Sequence, residues 1–329
     1  MIDAQVVPDT PVPVTFPSLN RAYNTVFRPG ALTIGLVVPL EAHHGSPVPD
    51  MTRHIKRAQM AEALGFSALW LRDVPFNVPT FGDAGQMFDP FVYLGLLSGL
   101  TSNIALGVAS IILPLRHPAH VAKAAASADQ LSGGRLLLGV ASGDRPEEYP
   151  AMGMSFPDRG TRFRESLNYI RAMAAEYPSY AGDHGTVTGS MDMLPKPANG
   201  RLPILITGGA QQDPEWVANH GDGWMTYPRD IASQARVVTD YRLRGAKVKP
   251  VMQSLYIDLA TDEDAQPTPI HLGFRSGVTF LKTYLASLRD HGINHVALNL
   301  RFNHADIEDT MKRLADELLP EFQTEKSKQ

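Results

Sequence analysis

The chain of 329 residues contains no cysteine. This absence excludes disulfide bonds, thiolate metal sites and a cysteine nucleophile, and it is compatible with a reducing compartment. The sequence also lacks an uncharged apolar run long enough to span a bilayer. Its N-terminus has no basic start followed by an apolar segment, so it does not resemble a signal peptide. We therefore expect a cytoplasmic protein with no membrane partner.

Blocks of charge of one sign are missing as well. The formal net charge is −4, and the sequence has neither a basic stripe nor an acidic tail. Proteins that bind nucleic acids usually carry a basic patch, because they must neutralise backbone phosphates. The sequence therefore argues against a nucleic acid partner and leaves a small molecule as the expected ligand.

Short apolar runs alternate with amphipathic stretches along most of the chain. The short runs predict buried strands, and the amphipathic stretches predict helices that start at capping residues and stop at glycine. The strands are predicted at 33–39, 68–73, 104–112, 136–141, 203–207, 223–226, 251–259 and 296–300. The helices are predicted at 50–64, 90–100, 118–131, 161–176, 212–220, 231–244, 274–291 and 305–319.

This alternation predicts parallel βα units, and eight of them close a (β/α)8 TIM barrel. An open doubly wound sheet would normally carry a GxGxxG loop after its first strand, and the sequence has no such loop. The predicted barrel domain spans residues 31–322. The Pro-rich, aperiodic residues 1–30 are predicted to form an arm over it, and residues 323–329 a disordered tail.

Active sites of such barrels lie at the carboxyl ends of the strands, so the residues that follow each strand are the candidates. A metal hydrolase would need several histidines and carboxylates there. The adjacent His43 and His44 would point in opposite directions on an extended chain, and no carboxylate cluster follows the later strands. We therefore predict no metal site.

A cofactor that carries a phosphate fits the strand ends better. Gly208 and Gly209 lie between a strand and a helix, where backbone N–H groups can bind an anion. Ser142 and Gly143 could do the same from the neighbouring strand, and Arg162 could supply positive charge. Each feature alone is common in barrels, but together they predict a phosphate site.

The sequence resembles the bacterial luciferase-like monooxygenases, which are flavin-dependent barrel enzymes. The resemblance is densest in GVASIILPLRHP and DQLSGGRLLLGVASG, and it continues through RFRE, PILITGG and GDGW. It covers nearly all of residues 31–320, so it implies a TIM barrel with luciferase-like insertions. The arm and the phrase RDVPFNVPTFGDAG resemble a less characterised luciferase-type oxidoreductase subgroup.

The resemblance implies where the flavin binds. In this family a non-proline cis peptide near the end of the third strand lies under the flavin ring, and the matching pair here is Ala109 and Ser110. The turns after the fourth and fifth strands and the intervening helix hold the flavin phosphate in relatives. The matching residues here are Ser142, Gly143, Arg162, Gly208, Gly209, and Gln211 or Gln212.

The catalytic residues depart from the family pattern. Many relatives have a histidine base at the end of the second strand, where this sequence has Asp73. An aspartate is a weak base at neutral pH unless burial raises its pKa. Alternatively, a strand-end arginine such as Arg72 holds Asp73 for a structural purpose. His43 is a further candidate catalytic residue that would line the substrate mouth, and Arg301 is a candidate partner for an acidic substrate.

The resemblance implies a flavin-dependent oxidoreductase, and we expect a monooxygenase that uses reduced FMN and O2. A separate reductase would supply the reduced FMN, because the sequence has no NAD(P)H fingerprint. One alternative is an F420-dependent oxidoreductase that transfers hydride, and another is a flavin-binding protein without catalysis. Relatives usually pair through helices near the second and third strands, so we expect a homodimer.

Overall fold

The computed structural model describes residues 15–41, 48–78 and 87–322. Its strands are, in chain order, β1 (Thr33–Val37), β2 (Ala68–Leu71), β3 (Ala105–Ile112), β4 (Leu136–Ala141), β5 (Ser179–Gly182), β6 (Gly185–Thr188), β7 (Ile204–Thr207), β8 (Gly223–Thr226), β9 (Val251–Leu259), β10 (Thr268–Ile270), β11 (Gly273–Ser276) and β12 (His295–Asn299). Its helices are α1 (Arg21–Val26), α2 (His54–Ala63), α3 (Pro90–Leu100), α4 (Pro118–Leu131), α5 (Glu148–Ala151), α6 (Arg159–Ala172), α7 (Pro214–His220), α8 (Ile231–Arg244), α9 (Val278–Asp290) and α10 (Ile307–Phe322).

Eight parallel strands close into a barrel. Their order is β9, β12, β1, β2, β3, β4, β7 and β8, and the pairing of β8 with β9 completes the ring. Each barrel strand is followed in the chain by a helix that packs outside the sheet, as right-handed βα connections require. The predicted (β/α)8 barrel is therefore confirmed. None of the described helices is both long and apolar enough to cross a membrane.

The hairpin of β10 and β11 was not anticipated from the sequence. The prediction placed the start of a helix at Phe274, but Phe274 lies in β11 and α9 begins at Val278. β11 pairs with the end of β9, so the sheet extends beyond the barrel at this point. Gly273 permits the pairing, because a Cβ there would lie 1.8 Å from the carbonyl oxygen of Tyr256.

The N-terminal segment closes the amino end of the barrel. Within the predicted arm of residues 1–30, Arg21–Val26 form α1, which the sequence analysis did not predict, and residues 1–14 lie outside the described part. The side chain of Asn20 accepts from the Tyr23 N–H and donates to Asp129. The buried Tyr23 hydroxyl donates to the Asp222 carbonyl at 2.6 Å, just before β8. Two polar anchors therefore hold this short helix against the barrel.

A chain of hydrogen bonds runs from the barrel interior to α1. Trp70 Nε1 donates to Nε2 of His295 at 2.8 Å, so the ring proton of a neutral His295 lies on Nδ1. That nitrogen donates to the Thr33 hydroxyl at 2.7 Å, which in turn donates to the Val26 carbonyl at 2.7 Å. All the side chains in this chain are buried. The interior is therefore satisfied only while His295 remains neutral.

Glycines on the strands provide the room for these large side chains. A Cβ on Gly107 would lie 2.3 Å from the Trp70 ring, and one on Gly35 would lie 2.9 Å from the His295 ring. Because backbone and rings are both buried at these positions, neither could move far. The lower half of the barrel is thus filled, which leaves the carboxyl end as the place for a cavity.

We predict that stability falls in acid through His295. Burial lowers the pKa of His295 to about 3, whereas an unfolded histidine titrates near 6.5. The unfolded chain therefore binds one more proton between these values, and the free energy of unfolding should fall by about 1.4 kcal/mol per pH unit below about pH 6.5. Urea denaturation from pH 7 to pH 4 measures this slope.

The control for this prediction is His295→Gln. The variant should be less stable at pH 7. Between pH 6 and pH 4, its free energy of unfolding should change with pH less steeply than that of the wild type, by the contribution of about one proton. Other buried groups titrate in both proteins, so the difference between the two slopes isolates His295. Equal slopes would contradict the assignment.

Candidate active site

A cavity of about 460 Å³ opens at the carboxyl ends of the barrel strands. Its volume lies within the usual range for small-molecule and cofactor sites. Eight of the residues proposed from the sequence line this cavity. They are Asp73, Ala109, Ser110, Ser142, Gly143, Gly208, Gly209 and Gln211.

The end of β3 provides one wall of the cavity. The peptide bond between Ala109 and Ser110 is cis, as the resemblance implied. The register of β3 with β4 shifts between Val108 and Ile111, around this bond. The Ser110 hydroxyl forms a hydrogen bond with the Thr207 hydroxyl at the end of β7. This contact ties the cis peptide to the strand that leads into the glycine turn.

The turn after β4 is held from behind by Tyr149. Gly143 has φ +78°, and a Cβ there would lie 2.8 Å from Ile112 and 2.9 Å from the Tyr149 hydroxyl. That hydroxyl donates a hydrogen bond to the Ser142 carbonyl oxygen. Burial raises the pKa of Tyr149 to about 12, so the hydroxyl keeps its proton at neutral pH. Ser142 and Gly143 are therefore fixed at the cavity wall.

The turn that follows β7 has the geometry of an anion site. In this 208–211 turn, Gly208, Ala210 and Gln211 have φ of 56°, 46° and 60°. Within the described residues, the N–H groups of Gly209, Ala210 and Gln211 have no hydrogen-bond acceptor. Successive free N–H groups on residues of this conformation form a concave nest for anions. The turn therefore fits a phosphate group.

Arg162 and Gln212 do not line the cavity. Arg162 Nε donates to the Pro114 carbonyl oxygen at 3.3 Å, although its charge lies near enough to Tyr149 to oppose the rise of that pKa. The Gln212 side chain instead bonds to Gly160, Arg164 and Ala210. Between the two glutamines, it is Gln211 that borders the cavity.

Asp73 is engaged in a network that supports the structural alternative. Its carboxylate accepts two hydrogen bonds from Arg116, at 2.7 and 3.0 Å, and one from the Ile112 N–H at 3.0 Å. Arg116 also bonds to Asp89 at 2.9 Å. The arginine that holds Asp73 is thus Arg116, from beyond β3, rather than Arg72. A carboxylate with three donors is poorly placed to take a proton from a substrate.

Of the other two proposed catalytic residues, the structure describes only Arg301. His43 lies outside the described residues. Arg301 follows β12, where its backbone N–H donates to the Asn299 side chain and its guanidinium lies 5.3 Å from the Phe302 ring centre. Arg301 is not among the residues that line the cavity.

Sequence reasoning missed the wall opposite β3 and β4. In the ring of eight strands, β9 lies opposite β3 and β12 lies opposite β4. Ser254 and Tyr256 of β9 line the cavity there, together with Asn299 of β12 and His271 at the tip of the β10–β11 hairpin. The alternation of inward and outward residues along β9 could have indicated Ser254 and Tyr256. No local pattern could have placed His271.

Among the described residues, no group of three or more histidine, aspartate or glutamate side chains is placed to hold a metal ion. His304 and Asp258 do pair, at 2.6 Å between Nδ1 and Oδ2, but outside the cavity lining. The cavity lining offers backbone N–H groups, hydroxyls, ring surfaces and charged side chains, the last from Arg72, Asp73, Asp144 and Arg145.

Comparison with known proteins gives a consistent result. The profile of a family described as luciferase-like monooxygenase matches residues 32–325. An uncharacterized protein of Mycobacterium tuberculosis is 34% identical over 191 residues, which cover 53% of this chain and 67% of the relative. The F420-dependent hydroxymycolic acid dehydrogenase of the same organism is 32% identical over 184 residues, which cover 54% of this chain and 50% of that protein.

A solved structure has the same fold. Monooxygenase RslO1 from Streptomyces bottropensis superposes with a TM-score of 0.74 at 18% sequence identity. The superposition covers 88% of this chain and 99% of that one. At this identity the likeness concerns the architecture of the barrel.

We predict that Asp73→Asn lowers the free energy of unfolding by about 1–3 kcal/mol, because it leaves a partly buried Arg116 with a weakened partner. Asp89→Asn is the matched control, since Asp89 is the more exposed partner of Arg116 and asparagine can still cap α3. It should cost less than about 1 kcal/mol. Urea denaturation measures the free energy of unfolding of both variants. Equal losses would contradict the prediction that Asp73 is the more important partner of Arg116.

Proposed function

The chain belongs to the luciferase-like monooxygenase family, and from that premise we propose that it is a monooxygenase that uses reduced FMN and O2. The observation that carries the proposal is a juxtaposition at one cavity. The Ala109–Ser110 cis peptide, the Ser142–Gly143 backbone and the 208–211 turn come from three strands and line the same space.

Each wall of the cavity has a part of FMN assigned to it in this proposal. We propose that the ring lies against Ala109 and Ser110 and that the phosphate is bound by Ser142, Gly143 and the free N–H groups of the 208–211 turn. Gly209 supports this placement, because it lines the cavity and a Cβ there would meet only the Gln212 carbonyl, at 3.7 Å, so the fold itself does not exclude a side chain at this position. When bound, the flavin supplies the redox chemistry, and the protein binds it, orients it and limits water.

We propose that Asp73 is a positioning residue in this enzyme. Its contacts with Arg116 and the Ile112 N–H join the end of β2 to the end of β3, directly beside the cis peptide. Loss of the carboxylate would therefore shift the wall against which we place the ring. The wall formed by Ser254, Tyr256, His271 and Asn299 then faces the substrate.

A second candidate is an F420-dependent oxidoreductase. It is favoured by the position of Arg162, which lies outside the cavity lining, while Arg145 in the lining is 3.6 Å from the Glu148 carboxylate. A turn that offers mainly N–H groups suits the single negative charge of the F420 phosphodiester. The FMN phosphate is a monoester with nearly two negative charges at neutral pH. The F420-dependent relative supports the same candidate.

We also propose a homodimer that pairs through α3, with reduced FMN supplied by a separate reductase. α3 has no charged residue, and its outer face exposes Val92 (72%) and Leu96 (43%). A helix that is apolar all round is usually covered on every side.

Light scattering after size exclusion should give twice the mass of one chain. Val92→Glu with Leu96→Lys should give the monomer, whereas Leu243→Glu on the exposed face of α8 should leave the dimer intact.

A titration separates the two cofactors. We predict that reduced FMN binds with a micromolar or lower Kd under anaerobic conditions and that F420 binds at least tenfold more weakly. With reduced FMN and 18O2, an added substrate should then take up one labelled oxygen atom, while the other is released as water. If F420 binds tightly while reduced FMN binds no better than millimolar, the monooxygenase proposal is wrong and the second candidate replaces it.

Gly209→Val tests the proposed site in the same titration. The variant should weaken binding of the preferred cofactor at least tenfold, because its side chain would occupy the phosphate position. Gly99→Ala is the control, because an added Cβ at Gly99 on α3 meets no atom within 4 Å and Gly99 lies outside the cavity lining. Unchanged affinity in the Gly209 variant would remove the 208–211 turn from the site.

A further inference from the structure

The 208–211 turn is held by its carbonyl oxygens. The Gly208 carbonyl accepts from Trp224 Nε1 at 2.9 Å, and the Gly209 carbonyl accepts from the Gln212 N–H at 2.8 Å. The Ala210 carbonyl accepts from Gln212 Nε2 at 3.2 Å. Three successive carbonyl groups are therefore bound by the protein, two of them by Gln212.

This arrangement determines where the N–H groups point. In a trans peptide the C=O of one residue and the N–H of the next are antiparallel and share a rigid plane. Carbonyls held at Gly208, Gly209 and Ala210 thus turn the N–H groups of the next three residues away from those contacts. These are the same three N–H groups that lack an acceptor in the described structure. Their orientation depends on the donors behind the turn.

The Gln212 amide also fixes the turn to the rest of the fold. Its Nε2 donates to the Gly160 carbonyl at 2.8 Å, and its Oε1 accepts from Arg164 Nε at 2.9 Å. Both partners lie in the first two turns of α6. A Cβ on Gly160 would lie 2.9 Å from the Gln211 Cβ, so the helix packs directly on the turn. One side chain therefore connects the start of α6 to the 208–211 turn.

We propose that Gln212 is a positioning residue for the cofactor phosphate, which it never touches. Its side-chain amide holds the Ala210 carbonyl and ties the turn to α6, and so directs the Gln211 N–H toward the anion beside the N–H groups of Gly209 and Ala210. This inference rests on the proposed function, because it takes the cavity as the cofactor site. It differs from a general structural role in one respect: removal of the amide should affect only ligands that carry the phosphate.

The test compares FMN with riboflavin, which has the same ring and side chain but no phosphate. In Gln212→Met, which keeps the length of the side chain and removes its hydrogen bonds, FMN should bind at least tenfold more weakly than in the wild type. Riboflavin affinity should change less than twofold. Arg164→Met is the control: it removes the partner of Oε1 and the contact of Arg164 with the Trp216 ring but keeps both Nε2 bonds of Gln212, so it should keep the preference for FMN. Fluorescence titration measures all the affinities.

The outcomes distinguish this inference from the proposed function. If wild-type protein prefers FMN to riboflavin and Gln212→Met keeps that preference, the cofactor proposal stands and the role of Gln212 is overturned. An equal loss of both ligands would also overturn it, because the effect would then be a general distortion of the cavity. If the wild type binds F420 instead, the same comparison uses F420 and its chromophore without the phosphate tail. If it binds neither cofactor, the proposed function and the inference fail together.

Discussion

Closure of the parallel sheet is the constraint on which the rest of the structure depends. Once β8 pairs with β9, all eight barrel strands present their carboxyl ends on one rim. That geometry brings together Ala109–Ser110, Ser142–Gly143 and the 208–211 turn, which are far apart in the chain but occupy neighbouring strands. It also places β9 and β12 across from them, so that one cavity has a glycine-rich and hydroxyl-rich side and a second side with aromatic and amide groups.

The interior of the barrel is packed differently at its two ends. At the amino end Trp70 and His295 fill the interior, glycines on neighbouring strands make room for them, and α1 closes the opening. This layer is close-packed and its polar side chains are hydrogen-bonded, so it supports the carboxyl end of the barrel. Small residues at the ends of β3, β4 and β7 then leave the upper interior open. The same sequence of strands thus provides both a rigid support and a ligand cavity.

Polar groups at the cavity fall into those that face it and those that hold the walls. The Tyr149 hydroxyl, Arg116 and Gln212 each bind a backbone or carboxylate group from behind the cavity surface. These contacts fix the orientation of the Ser142 backbone and of the 208–211 turn. The shape of the cavity wall therefore depends on groups that do not themselves face the cavity. That dependence suits a pre-organised site, in which little freedom is lost when the ligand binds.

The sequence by itself determined the barrel, because alternating short apolar runs and amphipathic helices record which residues must be buried. It also located the strand ends that carry small residues, and the cis peptide was implied by the family resemblance rather than by any local pattern. It could not assign Asp73, because the partner is Arg116, 43 residues away, and two arginines were available in the sequence. It likewise could not separate Gln211 from Gln212. Side-chain partners depend on which strands become neighbours and on the direction of each turn, and only the closed tertiary structure decides both.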